Sequence, residues 1–253
     1  MSSPDTNYLL NLLQISDSAF PTGSFAHSAG LEVAYQRGFL NTSEKVEKFL
    51  LASVENVGSF SVPFVREAYK IWTDLEAIRA LDRLLNASLS NHIANRASTQ
   101  QGRSLIQTAC ATYKDAKLTE IQNWIYDGKL IGHQAVMYGI VCAFLSIPED
   151  QAILSFLFSS LRTTVAAAVR LGAVGTLEGQ RMQFMLQTRL PEIIESYTGS
   201  IQSCCSGHHC RKRVGGGMHD EGTTLLQVVL ADASRYEAPT QNVRQCCQCV
   251  SPG

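Results

Sequence analysis

The chain has 253 residues, 45% hydrophobic and 17% charged, with a formal net charge of −1. That is enough apolar content for a sizeable core and too much for a chain disordered throughout. The near-neutral balance, with Arg211-Lys212-Arg213 as the only compact basic run, argues against a nucleic-acid-binding role, which needs a basic field.

The opening "MSSPDTNYLL" is polar and lacks the basic start of a secretory leader. The longest apolar run, 135–147, is shorter than the ~18 residues a bilayer span requires. A second apolar region, 152–174, is interrupted by Arg162 and Arg170. These features predict a soluble, cytoplasmic protein with no membrane span.

Ser3-Pro4 offers a cap and an N1 proline, and Tyr8, Leu9, Leu12 and Leu13 form one face of a first helix. That helix breaks into a loop holding Asp17, Ser18, Phe20, Pro21, Thr22, Gly23, Ser24, Phe25 and His27. Turn formers with two aromatic rings among them predict a loop tucked into the body, with the rings as anchors. Its short polar side chains suit the backbone groups such a loop must satisfy. Helix then resumes and stops at Gly38, a C′ glycine.

Val46, Phe49, Leu50, Val54 and Val57 repeat at helical period, and Pro63 fits the first turn of the next helix. Thr73 and Glu76 have capping-box spacing ahead of a helix with Leu75, Ile78, Leu81, Leu84 and Leu85 on its apolar side. The stretch "NHIANRASTQQGR", 91–103, is polar with small residues at Ala94, Ala97 and Gly102. It reads either as an exposed polar helix or as a closely packed one whose Asn, Gln and Arg side chains form a buried network or a partner surface.

Helix continues to Tyr113, followed by a turn at Asp115–Lys117 and a short helix with Ile121, Trp124 and Ile125. The run 133–145 is apolar almost all round, which predicts a central buried helix. Pro148-Glu149-Asp150 starts a long helix towards Gly172, with acids well placed for its dipole. After a Gly172–Gly175 break come "TLEGQRMQFMLQ" and a last short helix over 190–197. Nothing alternates at period two. The prediction is an all-α fold: one helical-bundle domain of about eight to ten helices over 1–199, then an irregular Cys/His/Gly-rich tail over 200–253.

Of eight cysteines, Cys110 and Cys142 lie in apolar helical context and read as small core residues. The others lie after residue 200. Cys204, Cys205, His208, His209 and Cys210 crowd soft and borderline ligands that suit zinc, copper(I) or nickel, either as a purposeful site or as adventitious binding. No phosphate-binding P-loop, G-x-S-x-G elbow or H-E-x-x-H motif occurs. Ser24 and His27 read as a loop-stabilising pair, and Glu178 with Arg181 as an i, i+3 ion pair.

Four blocks carry a family resemblance: "LLQISDSAFPTGSFAHSAGLE" from Leu12, "NRASTQQGRSL" from Asn95, "GHQAVMYGIV" from Gly132 and "AAAVRLGAVGTLEGQR" from Ala166. In order and spacing they resemble the urease accessory protein family UreF, from about residue 8 to about residue 188. The resemblance implies an all-α bundle that is not an enzyme and has no intrinsic cofactor. It implies a chaperone for nickel insertion into apo-urease, acting as a homodimer within a complex with UreD/UreH and the GTPase UreG, whose GTP hydrolysis it regulates. Nickel is then cargo of the complex.

The same resemblance recasts Asn95, Arg96, Gln100, Gln101, Arg103, Arg170, Glu178, Gln180 and Arg181 as a partner or dimer surface. It fades after about Gln187, and the family's carboxy-terminal docking segment for UreD/UreH has no counterpart in the tail. Two other readings compete: an all-α hydrolase using His27 or His133, and a metal-binding or metal-sensing protein acting through the tail.

Overall fold

In the computed structural model the described residues are 7–21 and 30–197. The Ser3-Pro4 start, the loop residues Thr22 to His27 and every expectation for 200–253 lie outside them, the metal-ligand candidates included. Among the described residues there are eleven α-helices and no strand.

The helices are α1 (Asn7–Ser16), α2 (Leu31–Gln36), α3 (Ser43–Phe60), α4 (Val62–Lys70), α5 (Leu75–Ser88), α6 (His92–Tyr113), α7 (Ala116–Tyr126), α8 (Gln134–Phe144), α9 (Glu149–Arg170), α10 (Thr176–Gln187) and α11 (Leu190–Ser196). This is the all-α bundle expected from the periodicity.

Short polar side chains start four of these helices. Thr42 Oγ1 accepts from the Lys45 amide at 3.3 Å. Asp74, Asn91 and Asp115 each accept two backbone N–H groups of the following first turn. Such caps satisfy donors that have no partner inside the helix. Asp74, and not Thr73, therefore caps α5: its carboxylate reaches Glu76 and Ala77, so the capping-box expectation is corrected by one position. The stop at Gly38 is as expected: its φ is 75°, and the Gly38 and Phe39 amides return to Tyr35 and Ala34.

Two helices organise the bundle. Helix α8 is buried along Ala135–Cys142 and packs chiefly on α4 and α6. Helix α9 runs beneath α3 and α10 and also meets α1, α2 and α11. By length and composition α9 could cross a membrane, but 56% of its apolar window is buried inside the bundle. Arg162 is half-buried and Arg170 exposed, on a helix whose buried side is mainly Ala, Ile, Leu, Phe and Val.

The apolar face of α1 packs only in part. Ile15 is buried and Tyr8 and Leu12 are half-buried, whereas Leu9, Leu10 and Leu13 are exposed. On α5, Leu84 is likewise exposed and Asp82 takes an inward position.

Close approach sets the α4–α8 contact. A Cβ added to Gly139 would lie 2.3 Å from the Val65 carbonyl oxygen and 2.9 Å from Ala68 Cβ. Backbone cannot yield as a flexible side chain can. Gly139→Ala is expected to lower stability by roughly 2–3 kcal/mol in urea titration. Gly175→Ala, where a Cβ meets nothing within 4 Å and φ is −72°, is the comparison without a clash: it removes only a favourable N-cap glycine from α10 and should cost no more than about 1 kcal/mol.

Candidate functional site

Two outward faces, one inward junction and the first loop contain most of the described residues singled out above. On α6 the set divides. Arg96, Gln100 and Arg103 are exposed, at i, i+4 and i+7 on one face, with Ile93 beside them at 51% exposure. Asn95 and Gln101 turn inward: Gln101 is buried, and Asn95 Nδ2 donates to Asn86 Oδ1 at 2.9 Å. Arg103, although exposed, spans to the loop before α8, where its Nε donates to the Ile131 carbonyl at 2.9 Å. The polar stretch 91–103 is thus part surface and part internal network.

The second face belongs to α10. Gly179, Met182 and Leu186 are buried against the bundle. The opposite side presents Leu177 (86% exposed), Gln180, Arg181, Phe184 (65%) and Met185 (53%). Arg181 bonds Glu178 in a two-point pair, Nε to Oε2 at 3.0 Å and Nη2 to Oε1 at 2.8 Å. That bond holds the Glu178 carboxyl below its usual range and the Arg181 guanidinium above it. Arg170 is exposed at the end of α9, favourably placed for the helix dipole.

The first loop tucks into the body from its described side. Phe20 is buried, Asp17 Oδ1 accepts from the Ala19 amide at 2.7 Å, and Ser18 is exposed. The Pro21 carbonyl accepts from Thr108 Oγ1 of α6 at 3.1 Å. Tyr113 donates its hydroxyl to Gln14 at the foot of α1.

The junction lies between α5, α6 and the start of α8. Asp82 is fully buried, and its carboxylate accepts from the amides of Ile131 (2.6 Å), Gly132 (2.9 Å) and His133 (3.0 Å). The fully buried His133 ring has Nδ1 3.1 Å from Ser98 Oγ and Nε2 3.2 Å from Asn86 Oδ1. Ser98 Oγ also accepts from the Gln134 amide at 3.3 Å. Burial lowers the His133 pKa most; the Arg103 charge lowers it further, against an upward pull from Asp82.

A catalytic base must reach a substrate proton. A buried ring with both nitrogens engaged does not, so His133 does not serve the hydrolase reading. His27 lies outside the described residues.

Cys110 and Cys142 are free thiols pushed up by burial, Cys110 to about 11, as befits unreactive packing residues. Among the described residues no group of three or more His, Cys, Asp or Glu side chains is placed to hold a metal ion.

Periodicity alone missed Asp82, Asn86 and Ser98. A signal existed for Asp82: it falls at i+4 from Ile78 and i−3 from Leu85, on the apolar stripe of α5. A carboxylate there must find partners. Asp82→Asn exchanges an acceptor for an amide donor facing backbone donors. It is expected to cost roughly 2–4 kcal/mol, read as a lower urea midpoint at unchanged m.

Comparison with known proteins agrees with the family resemblance read from the sequence. A family model described as UreF matches residues 40–187. Urease accessory protein F of Arabidopsis thaliana is 34% identical over 191 residues, 73% of this chain and 77% of the relative. UreF of Lachnoclostridium phytofermentans is 34% identical over 179 residues, covering 70% and 78%. UreF of Trichodesmium erythraeum is 31% identical over 189 residues, covering 74% and 82%. On this evidence the chain belongs to the UreF family of urease accessory proteins.

Proposed function

We propose that this protein is a cytoplasmic chaperone for nickel insertion into apo-urease, acting through protein contacts in a complex with UreD/UreH and the GTPase UreG and regulating GTP hydrolysis by UreG. The role in urease maturation follows from the family. The observation supporting action by contact is the outer side of α10, where Leu177, Phe184 and Met185 stand exposed beside Arg181 and Gln180. Large apolar side chains grouped on one helix face mark a protein interface.

We assign that face to a second copy of the chain. A two-fold pairing sets the same patch against itself, so Leu177 and Phe184 of each copy bury one another and Arg181 can reach carboxylates of both copies. The exposed α6 face, with Arg96, Gln100 and Arg103, is then left for another member of the complex. Exposed guanidinium groups suit carboxylates on such a partner.

The test is co-expression with UreD/UreH and UreG from the same organism, capture on one partner and sizing of the product. A complex containing two copies of this chain is the expected result. Leu177→Glu with Phe184→Glu should keep the helical spectrum, leave the chain monomeric and lower recovery of the full complex by about tenfold or more. A monomeric wild-type chain in an intact complex would overturn the pairing and leave the chaperone reading standing. Failure of all three proteins to associate would overturn both. Arg170→Ala and Arg181→Ala provide a finer reading: if both assemble normally, those arginines are not partner contacts.

A further inference from the structure

We propose that the α5–α6–α8 junction is a proton-operated latch: in mildly acid solution the His133 ring takes up a second proton, and the N-terminal half of α6 and the segment 130–134 part from α5. The latch is a property of this chain alone and does not depend on which partners it has.

The hydrogen-bond directions carry the argument. Asn86 Oδ1 accepts from Asn95 Nδ2 at 2.9 Å and stands 3.2 Å from His133 Nε2. A carbonyl oxygen only accepts, so Nε2 bears the hydrogen. The bare Nδ1 then accepts the Ser98 hydroxyl at 3.1 Å, and Ser98 Oγ accepts the Gln134 amide. The relay is complete with a neutral ring. A proton on Nδ1 meets the Ser98 hydroxyl hydrogen, and Ser98 must turn that hydrogen away from its acceptor. Both of its lone pairs are then taken, one by His133 and one by Gln134.

Electrostatics add to this. The new charge would sit in a fully buried ring at the N-terminal end of α8, where the helix dipole already places positive potential. The charged groups acting on the ring are Asp82 from α5, which attracts the proton, and Arg103 from α6, which repels it. Both Asp82 oxygens are occupied by the Ile131, Gly132 and His133 amides. Asn86, Asn95 and Ser98, the remaining polar neighbours, carry no charge. Burial and Arg103 together outweigh Asp82 and favour the neutral ring.

The sign follows from linkage. The closed junction holds the ring pKa below its ordinary value, and the opened junction restores it. Closure is therefore at full strength above the ordinary imidazole pKa of ~6.5 and weakens as pH falls towards the depressed value. One extra proton bound by the open form raises the opening constant by up to about tenfold per pH unit across that window.

Hydrogen exchange on the full chain from pH 7.5 to 5.0, corrected for intrinsic exchange, tests the latch. Protection over 92–104 and 128–138 should fall below about pH 6.5 with the one-proton slope, while α3 and α9 stay protected. In His133→Gln, which keeps a donor but takes up no proton, the fall should vanish. The proposal is overturned by unchanged protection in the wild type, by an equal fall in the variant, or by simultaneous loss in α3 and α9. Should the variant not fold, ring-carbon NMR of wild-type His133 decides. A ring titration coincident with opening supports the latch; titration without opening, or opening around a ring that stays neutral, overturns it.

Discussion

One carboxylate holds the segment on which the central helix starts. Asp82 projects from α5 into the interior and accepts three consecutive backbone N–H groups, those of Ile131, Gly132 and His133. Those amides are buried or half-buried and have no helical partner, because they precede the first turn of α8. Left alone they would each bear a desolvation cost. Gathered on one charged acceptor they fix the chain direction into α8, and the register of α8 decides where Gly139 meets α4. Gly132 contributes at φ 87°, and Gly102 of α6 lies so close that a Cβ there would stand 2.2 Å from the Gly132 oxygen. The polar clamp and the two glycines are therefore one arrangement: the carboxylate holds the segment in place, and the missing side chains make room for it.

Most helices were legible because their apolar residues recur at helical period; four of them also start on Asx or Thr caps. The central burial of α8 was legible for the simplest reason: a helix apolar on every side has nowhere else to go. Harder cases share a cause. Leu9 and Leu13 on α1 satisfy the same pattern as core residues yet face outward, since which side of a short helix packs depends on the neighbour. The stretch 91–103 left two readings open because Asn, Gln and Arg are equally at home in water and in a network. Only the placement of α5 and α8 turns Asn95 and Gln101 inward and leaves Arg96 and Gln100 outward. Ser98 carries no signal at all until His133 is beside it.

Helix α10 is more apolar than its packing requires. Gly179, Met182 and Leu186 suffice to seat it on α9, and a Cβ at Gly179 would come within 2.7 Å of Val169, so the seat is close. Leu177, Phe184 and Met185 then stand exposed on the far side. A surface helix under no other demand would place charge there. The Glu178–Arg181 pair sets an ion pair beside these apolar side chains.

Helix α6 connects these parts because its two halves are held by different physics. From Gly102 onward it is anchored by Leu105, Ile106 and Ala109 in the core, and Thr108 and Tyr113 tie it to the loop and foot of α1. Before that point the hold is largely polar: Asn95 to Asn86, Ser98 to His133 and Gln134. Apolar burial is indifferent to pH, whereas a hydrogen-bond relay in which a second ring proton buries a charge and takes away the acceptor of the Ser98 hydroxyl is not. Loosening confined to the first half is thus compatible with a helix that never leaves the bundle. That first half also bears Arg96 and Gln100 on its exposed side. Any change in how it lies on α5 moves those side chains as a unit, which places the protonation of one buried ring in mechanical register with an outward face.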